Sequence, residues 1–134
     1  MLYVSLDKSL DDIALLFCST AGKISPEDYS KKRISAQQYL DIHRHLGLLR
    51  LPDGRPGLFL DEGYRLTVMQ LKEKIISAMD TCHGLSCIII DAIHLLENES
   101  SDSSFPALSE IIEEFSHFAS MLNIPVIAPL SRTG

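Results

Sequence analysis

An α/β domain built on a mainly parallel sheet is what this sequence predicts, and three features carry the expectation. Short apolar runs alternate along the whole chain with stretches at helical spacing, the order produced when helices cross between parallel strands. The run Cys87-Ile88-Ile89-Ile90-Asp91 is β-branched without alternation, the mark of a central strand buried on both faces. Helix starts are written into the chain as capping signatures, with Ser35 three residues before Gln38 and Thr67 three before Gln70.

Taken in order, Leu2 to Leu6 reads as a buried strand. Ser9 with Asp12 opens a helix whose apolar turns carry Ile13, Ala14, Leu16 and Phe17, and Gly22 stops it. Ser25-Pro26 begins a short helix with proline at its first position. Ser35 caps the next, which runs to about Leu49 and is followed by an Asp53-Gly54 turn. Leu58-Phe59-Leu60 is a second strand ending in Asp61 and Glu62. Thr67 caps a helix that Gly84 ends, and the Cys87 strand follows. After a polar stretch from Asn98 to Ser104, a helix from about Phe105 carries Leu108, Ile111, Ile112, Phe115, Phe118, Ala119 and Leu122 at helical spacing. Pro125 to Ala128 is the last strand.

A chain of 134 residues with 46% hydrophobic and 22% charged residues predicts one globular domain with a real core. The net charge of −6 argues against strong DNA binding by this chain alone, since phosphate affinity grows with the number of basic contacts. The densest basic cluster is only Lys31, Lys32 and Arg33, and the segment beyond Leu96 is acidic. Cys18, Cys82 and Cys87 cannot all pair. The start lacks a secretory leader pattern and no apolar run reaches membrane-span length, so a reduced, cytoplasmic setting without a membrane partner is expected. Cys82, His83 and Cys87 lack a fourth ligand at a supporting spacing and read as ordinary residues around a turn.

Ligands of open parallel sheets sit at the carboxyl ends of the strands. Three of the four predicted strands end in acids: Asp7, then Asp61 with Glu62, then Asp91. Four apolar residues followed by Asp91 form a Walker B pattern, in which the carboxylate holds a magnesium–water shell beside nucleotide phosphates. Many strand-ending acids only cap a turn, so the pattern by itself leaves both readings open. Asp7 reads either as a water-orienting base or as a loop acid leading into the helix capped by Ser9. No Gly-x-x-x-x-Gly-Lys-Ser/Thr occurs in the 134 residues, and Gly22-Lys23 is a helix stop. His43 and His45 point to different helix faces and read as surface residues. His94 reads as a packing residue or a ligand sensor, with packing favoured.

In series, these segments resemble the RecA-like motor domain of the DnaB-type hexameric replicative DNA helicases. Leu2-Tyr3-Val4-Ser5-Leu6-Asp7-Lys8-Ser9 is similar to that family's strand ending in Ser-Leu-Glu-Met-Ser. Leu66-Thr67-Val68 is similar to its Leu-Thr-Val helix start, and Ile88 to Leu96 to its Walker B strand and tail. Asn123 to Ala128 and then Leu130-Ser131-Arg132 resemble the following strand and its Gln-Leu-Ser-Arg end.

The resemblance implies a three-layer P-loop NTPase-type fold with the P-loop strand missing. The strand order it implies runs from Leu58–Leu60 through Leu2–Leu6 and Cys87–Ile90 to Pro125–Ala128. It implies ATP and magnesium as cofactors, with Asp91 near the magnesium, Asp7 in place of the catalytic glutamate, and Ser131 and Arg132 at the nucleotide end of the last strand. Aspartate is one methylene shorter than glutamate, His94 replaces the family's glutamine, and the tail beyond Walker B is acidic. The chain is therefore expected to be a fragment or reduced relative of a helicase motor, or a non-catalytic module of the same fold that docks on a helicase to regulate or load it. Neither form is expected to bind ATP tightly alone. Single-stranded DNA would be met only in a larger assembly. Without a P-loop strand, the last strand is expected to be an open edge that pairs with another copy or another helicase subunit, and the helix side carrying Phe115 and Phe118 to lie uncovered if it faces that gap. An in-frame P-loop in the coding sequence ahead of Met1 would decide for a fragment.

Overall fold

The computed structural model describes residues 1–96 and 108–129. Its backbone packs as two compact units, one made of residues 8–59 and the other of residues 1–7 together with the chain from residue 60 onward. Each follows from its own local chemistry.

In the unit of residues 8–59, α1 (Leu10–Gly22), α2 (Pro26–Ser30) and α3 (Ala36–Gly47) form a helical cluster. Ser9 Oγ accepts from the Asp12 N–H and Ser25 Oγ from the Asp28 N–H, so both starts fall where the sequence places them. Ser35 and Gln38 close a reciprocal capping box at α3, which satisfies two amide donors that a helix start otherwise leaves open. Gly22 acts differently from its expected role. It is still helical, and Lys23 takes the left-handed conformation at φ 54°. A Cβ on Gly22 would lie 2.8 Å from Ile42 Cγ1, so glycine serves the close approach of α1 to the buried Ile42 of α3. Most of the apolar stripe expected of α1 is only partly covered: Ile13 is buried, whereas Ala14 and Leu16 are exposed.

The second unit is a four-stranded sheet and its helices. The strands are β1 (Leu2–Ser5), β2 (Phe59–Glu62), β3 (Ile88–Asp91) and β4 (Val126–Ile127), in the order β2-β1-β3-β4. This is the order implied by the resemblance. β1 and β3 run parallel with Leu2 opposite Ile88 and Ser5 opposite Asp91, and β3 and β4 run parallel with Ile88 opposite Val126. Leu2, Val4, Ile88 and Ile90 share one face and are buried to 2% exposure or less. Ile89, on the other face, is half-buried, so the expected burial of β3 on both faces is complete on one face only.

Two helices supply the rest of this core. α4 (Val68–Thr81), closed by the Thr67–Gln70 capping box, buries Val68, Leu71 and Ile75. α5 (Leu108–Leu122) buries Ile111, Phe115 and Phe118; its expected start near Phe105 lies outside the described residues. Phe115 and Phe118 meet edge to face at 6.1 Å, and Lys72 of α4 sits 5.5 Å above the Phe118 ring while its ammonium pairs with Glu114 at 2.5 Å. The expectation that these two phenylalanines lie uncovered is therefore corrected: both are buried, and Lys72 reaches across from α4 over the Phe118 ring. α4 ends at Thr81, ahead of Gly84, after which His83 and Gly84 take positive φ.

Candidate functional site

The pairing register brings the strand ends together. Ser5 stands opposite Asp91, and the ladder extends past them because the Leu6 N–H donates to the Asp91 carbonyl at 2.7 Å. On the other side of β1, the Gly63 N–H donates to the Ser5 carbonyl at 2.9 Å. The carboxyl ends of β1, β2 and β3 therefore share one edge, as parallel pairing requires.

Asp91 is the last residue of β3 and is half-buried. Its Oδ2 accepts a hydrogen bond from the Tyr3 hydroxyl at 2.6 Å, in the short range of a bond to a charged acceptor. Tyr3 lies opposite Ile89, so Asp91 is its diagonal neighbour on the same sheet face, a position that long side chains reach. Burial first, then the hydrogen bond to Asp91, then the negative charges of Asp91 and Asp7, hold the Tyr3 phenol well above the ordinary range for tyrosine. Asp7 itself is exposed, two residues past the end of β1. The Ser5 hydroxyl, on a residue only 1% exposed, points to Asp7 Oδ1 at a long 3.5 Å.

Asp61 stands apart from this pair. It lies inside β2, not past its end, and its carboxylate is paired with the Lys74 ammonium of α4 at 3.0 Å. A partly buried lysine neutralises it, which suits a link between β2 and α4 better than a ligand position. His94 is exposed on the 3₁₀ turn Ile93–Leu95. The packing role favoured for it is corrected, because Ile93 and Leu96 fill the core there at 1% and 2% exposure. His43 and His45 are exposed as expected. Ser131 and Arg132 lie outside the described residues. No sequence pattern singles out Tyr3; only the register of β1 on β3 puts a phenol against Asp91.

Among the described residues no three His, Cys, Asp or Glu side chains gather as a metal-holding group. The Asp91 carboxylate is a hard oxygen donor of the kind that suits a magnesium ion keeping most of its water shell. Asp91 would hold such an ion through water. Among the described residues no helix is long and apolar enough to cross a membrane.

Comparison with known sequences adds the family. The model of the DnaB-like helicase C terminal domain matches residues 1–133. The chain belongs to the DnaB-like helicase C-terminal domain family. Two solved structures share the fold of this DnaB-like domain. One is that of a DnaB-like replicative helicase and its interactions with primase, with 17% identity, a TM-score of 0.72, and coverage of 98% of this chain and 32% of the other. The second is that of an ATPase domain, also with 17% identity and a TM-score of 0.72, covering 98% of this chain and 48% of the other. At such identity they establish the RecA-like α/β fold. The DnaB-like domain thus spans about a third of one relative and about half of the other. No curated protein sequence matches it significantly.

Proposed function

We propose that this domain supplies the Walker B and catalytic-acid strands of a DnaB-type motor that couples ATP hydrolysis to DNA unwinding. The observation that carries the reading is the Ser5–Asp91 register, which sets Asp91 and Asp7 at one carboxyl edge of the sheet. Asp91 would hold the water shell of the magnesium, and Asp7 would orient the attacking water and accept its proton. ATP and its magnesium supply the phosphoryl group and the charge neutralisation that such a transfer requires. Ser131 and Arg132, outside the described residues, are proposed as further nucleotide contacts. Single-stranded DNA is met in a larger assembly, since this chain carries a net charge of −6.

Most of a phosphate cradle is made of P-loop backbone N–H groups, and the 134 residues contain no such motif. Calorimetric titration of this chain with Mg-ATP is accordingly expected to show no micromolar binding. Tight binding, or hydrolysis lost on Asp91→Ala, would mean that the site is complete within the chain.

A second reading, a non-catalytic module that docks on a helicase to regulate or load it, is favoured by one observation. Asp7 is exposed and carries a side chain one methylene shorter than the family's glutamate, which shortens its reach to a water. Both readings call for contacts with helicase subunits. Among the described residues β4 is the outer strand beyond β3, and its Ile127 is 51% exposed. Strand edges of this kind pair readily with another chain, although Pro125 and Pro129 blunt this one. Light scattering after size exclusion is expected to show self-association that Ile127→Lys abolishes. A monomer at every concentration would remove this edge as the contact.

A further inference from the structure

We infer that Tyr3 is a positioning residue for Asp91: its hydroxyl, donating to Oδ2 at 2.6 Å, holds the carboxylate in one orientation and leaves Oδ1 to face a hydrated divalent cation. The inference rests on the proposed reading of Asp91 as the residue nearest the metal. It goes beyond that reading because it assigns the orientation of the carboxylate to a side chain on the neighbouring strand.

The geometry carries it. An ionised aspartate only accepts hydrogen bonds, and a carboxylate at a strand end can otherwise rotate among several orientations. The donor here stands on the rigid β1 ladder, two residues before the buried Ser5 that pairs with Asp91. Tyr3 is itself half-buried, so its ring is held by packing and its hydroxyl cannot wander far. Outer groups that orient a metal-ligating carboxylate contribute about 10–100-fold to metal affinity in other proteins.

Three proteins test it: the wild-type chain, Tyr3→Phe and Asp91→Asn. Manganese(II) is titrated as the probe, and paramagnetic broadening of the amide signals of residues 5–7 and 91–92 reports binding near the site. The amide spectra also verify that each variant is folded, and Tyr3→Phe keeps the ring and removes only the oxygen. The expected result is broadening that depends on Asp91 and needs about tenfold more manganese in Tyr3→Phe. Broadening that depends on Asp91 but is equal in Tyr3→Phe overturns the positioning role and leaves the reading of Asp91 standing. Broadening that is absent, or unchanged by Asp91→Asn, overturns the reading of Asp91 and the inference built on it.

Discussion

Phe115→Ala is expected to destabilise the sheet unit by about 3–5 kcal/mol, the usual loss when a buried aromatic is truncated to alanine. Phe115 is 2% exposed and stacks edge to face on Phe118, so the variant loses both buried area and a ring contact. The cavity opens beneath α5 beside Phe118, where close-packed neighbours relax only in part. Domains of ordinary stability have about 5–15 kcal/mol in total, so much of the margin goes. Urea unfolding should show a lower midpoint with an unchanged slope. A loss below about 1 kcal/mol would mean that α5 does not enclose Phe115 as described.

The second large effect concerns the chemistry. On the proposed catalytic reading, in an assembly that holds a complete nucleotide site, Asp7→Ala is expected to lower ATP turnover roughly 10²–10⁴-fold, the usual contribution of a positioned general base. Asp91→Asn should also lower turnover, by weakening the hold on the magnesium water shell, and should raise the magnesium concentration needed. Asp7→Glu restores the methylene and is expected to match or exceed the wild type. Single-turnover hydrolysis at saturating ATP measures all three. Equal turnover in the wild type and Asp7→Ala would instead favour the docking module, in which this edge performs no chemistry.

Tyr3, Asp61 and Asp91 illustrate how far residue patterns reach. Asp91 is legible because a run of β-branched residues ending in an acid is a local pattern. Asp61 shares the local pattern, an acid closing an apolar run, yet its charge goes to Lys74, thirteen residues away on α4. Tyr3 carries no signal of its own, since its partner lies 88 residues along the chain. His94 departs from its expected packing role for a related reason. On a 3₁₀ turn the neighbours Ile93 and Leu96 are buried and leave the imidazole outside, an outcome that depends on where the turn leaves the sheet.

What the sequence determined by itself was local: which segments become helices, where Ser9, Ser25, Ser35 and Thr67 begin them, and that β3 is a core strand. These depend on hydrogen bonds and side-chain spacing within a turn or two of chain. The strand order was accessible through the family resemblance of the segments taken in series, not through any one of them. Tertiary structure alone decided the rest: that Gly22 is glycine to admit Ile42, that Lys72 bridges Glu114 and Phe118, and that a phenol at the third residue meets the carboxylate at the ninety-first. Each depends on the register and approach of elements far apart in the chain, and a one-residue slip of β1 on β3 would turn Tyr3 to the opposite face from Asp91.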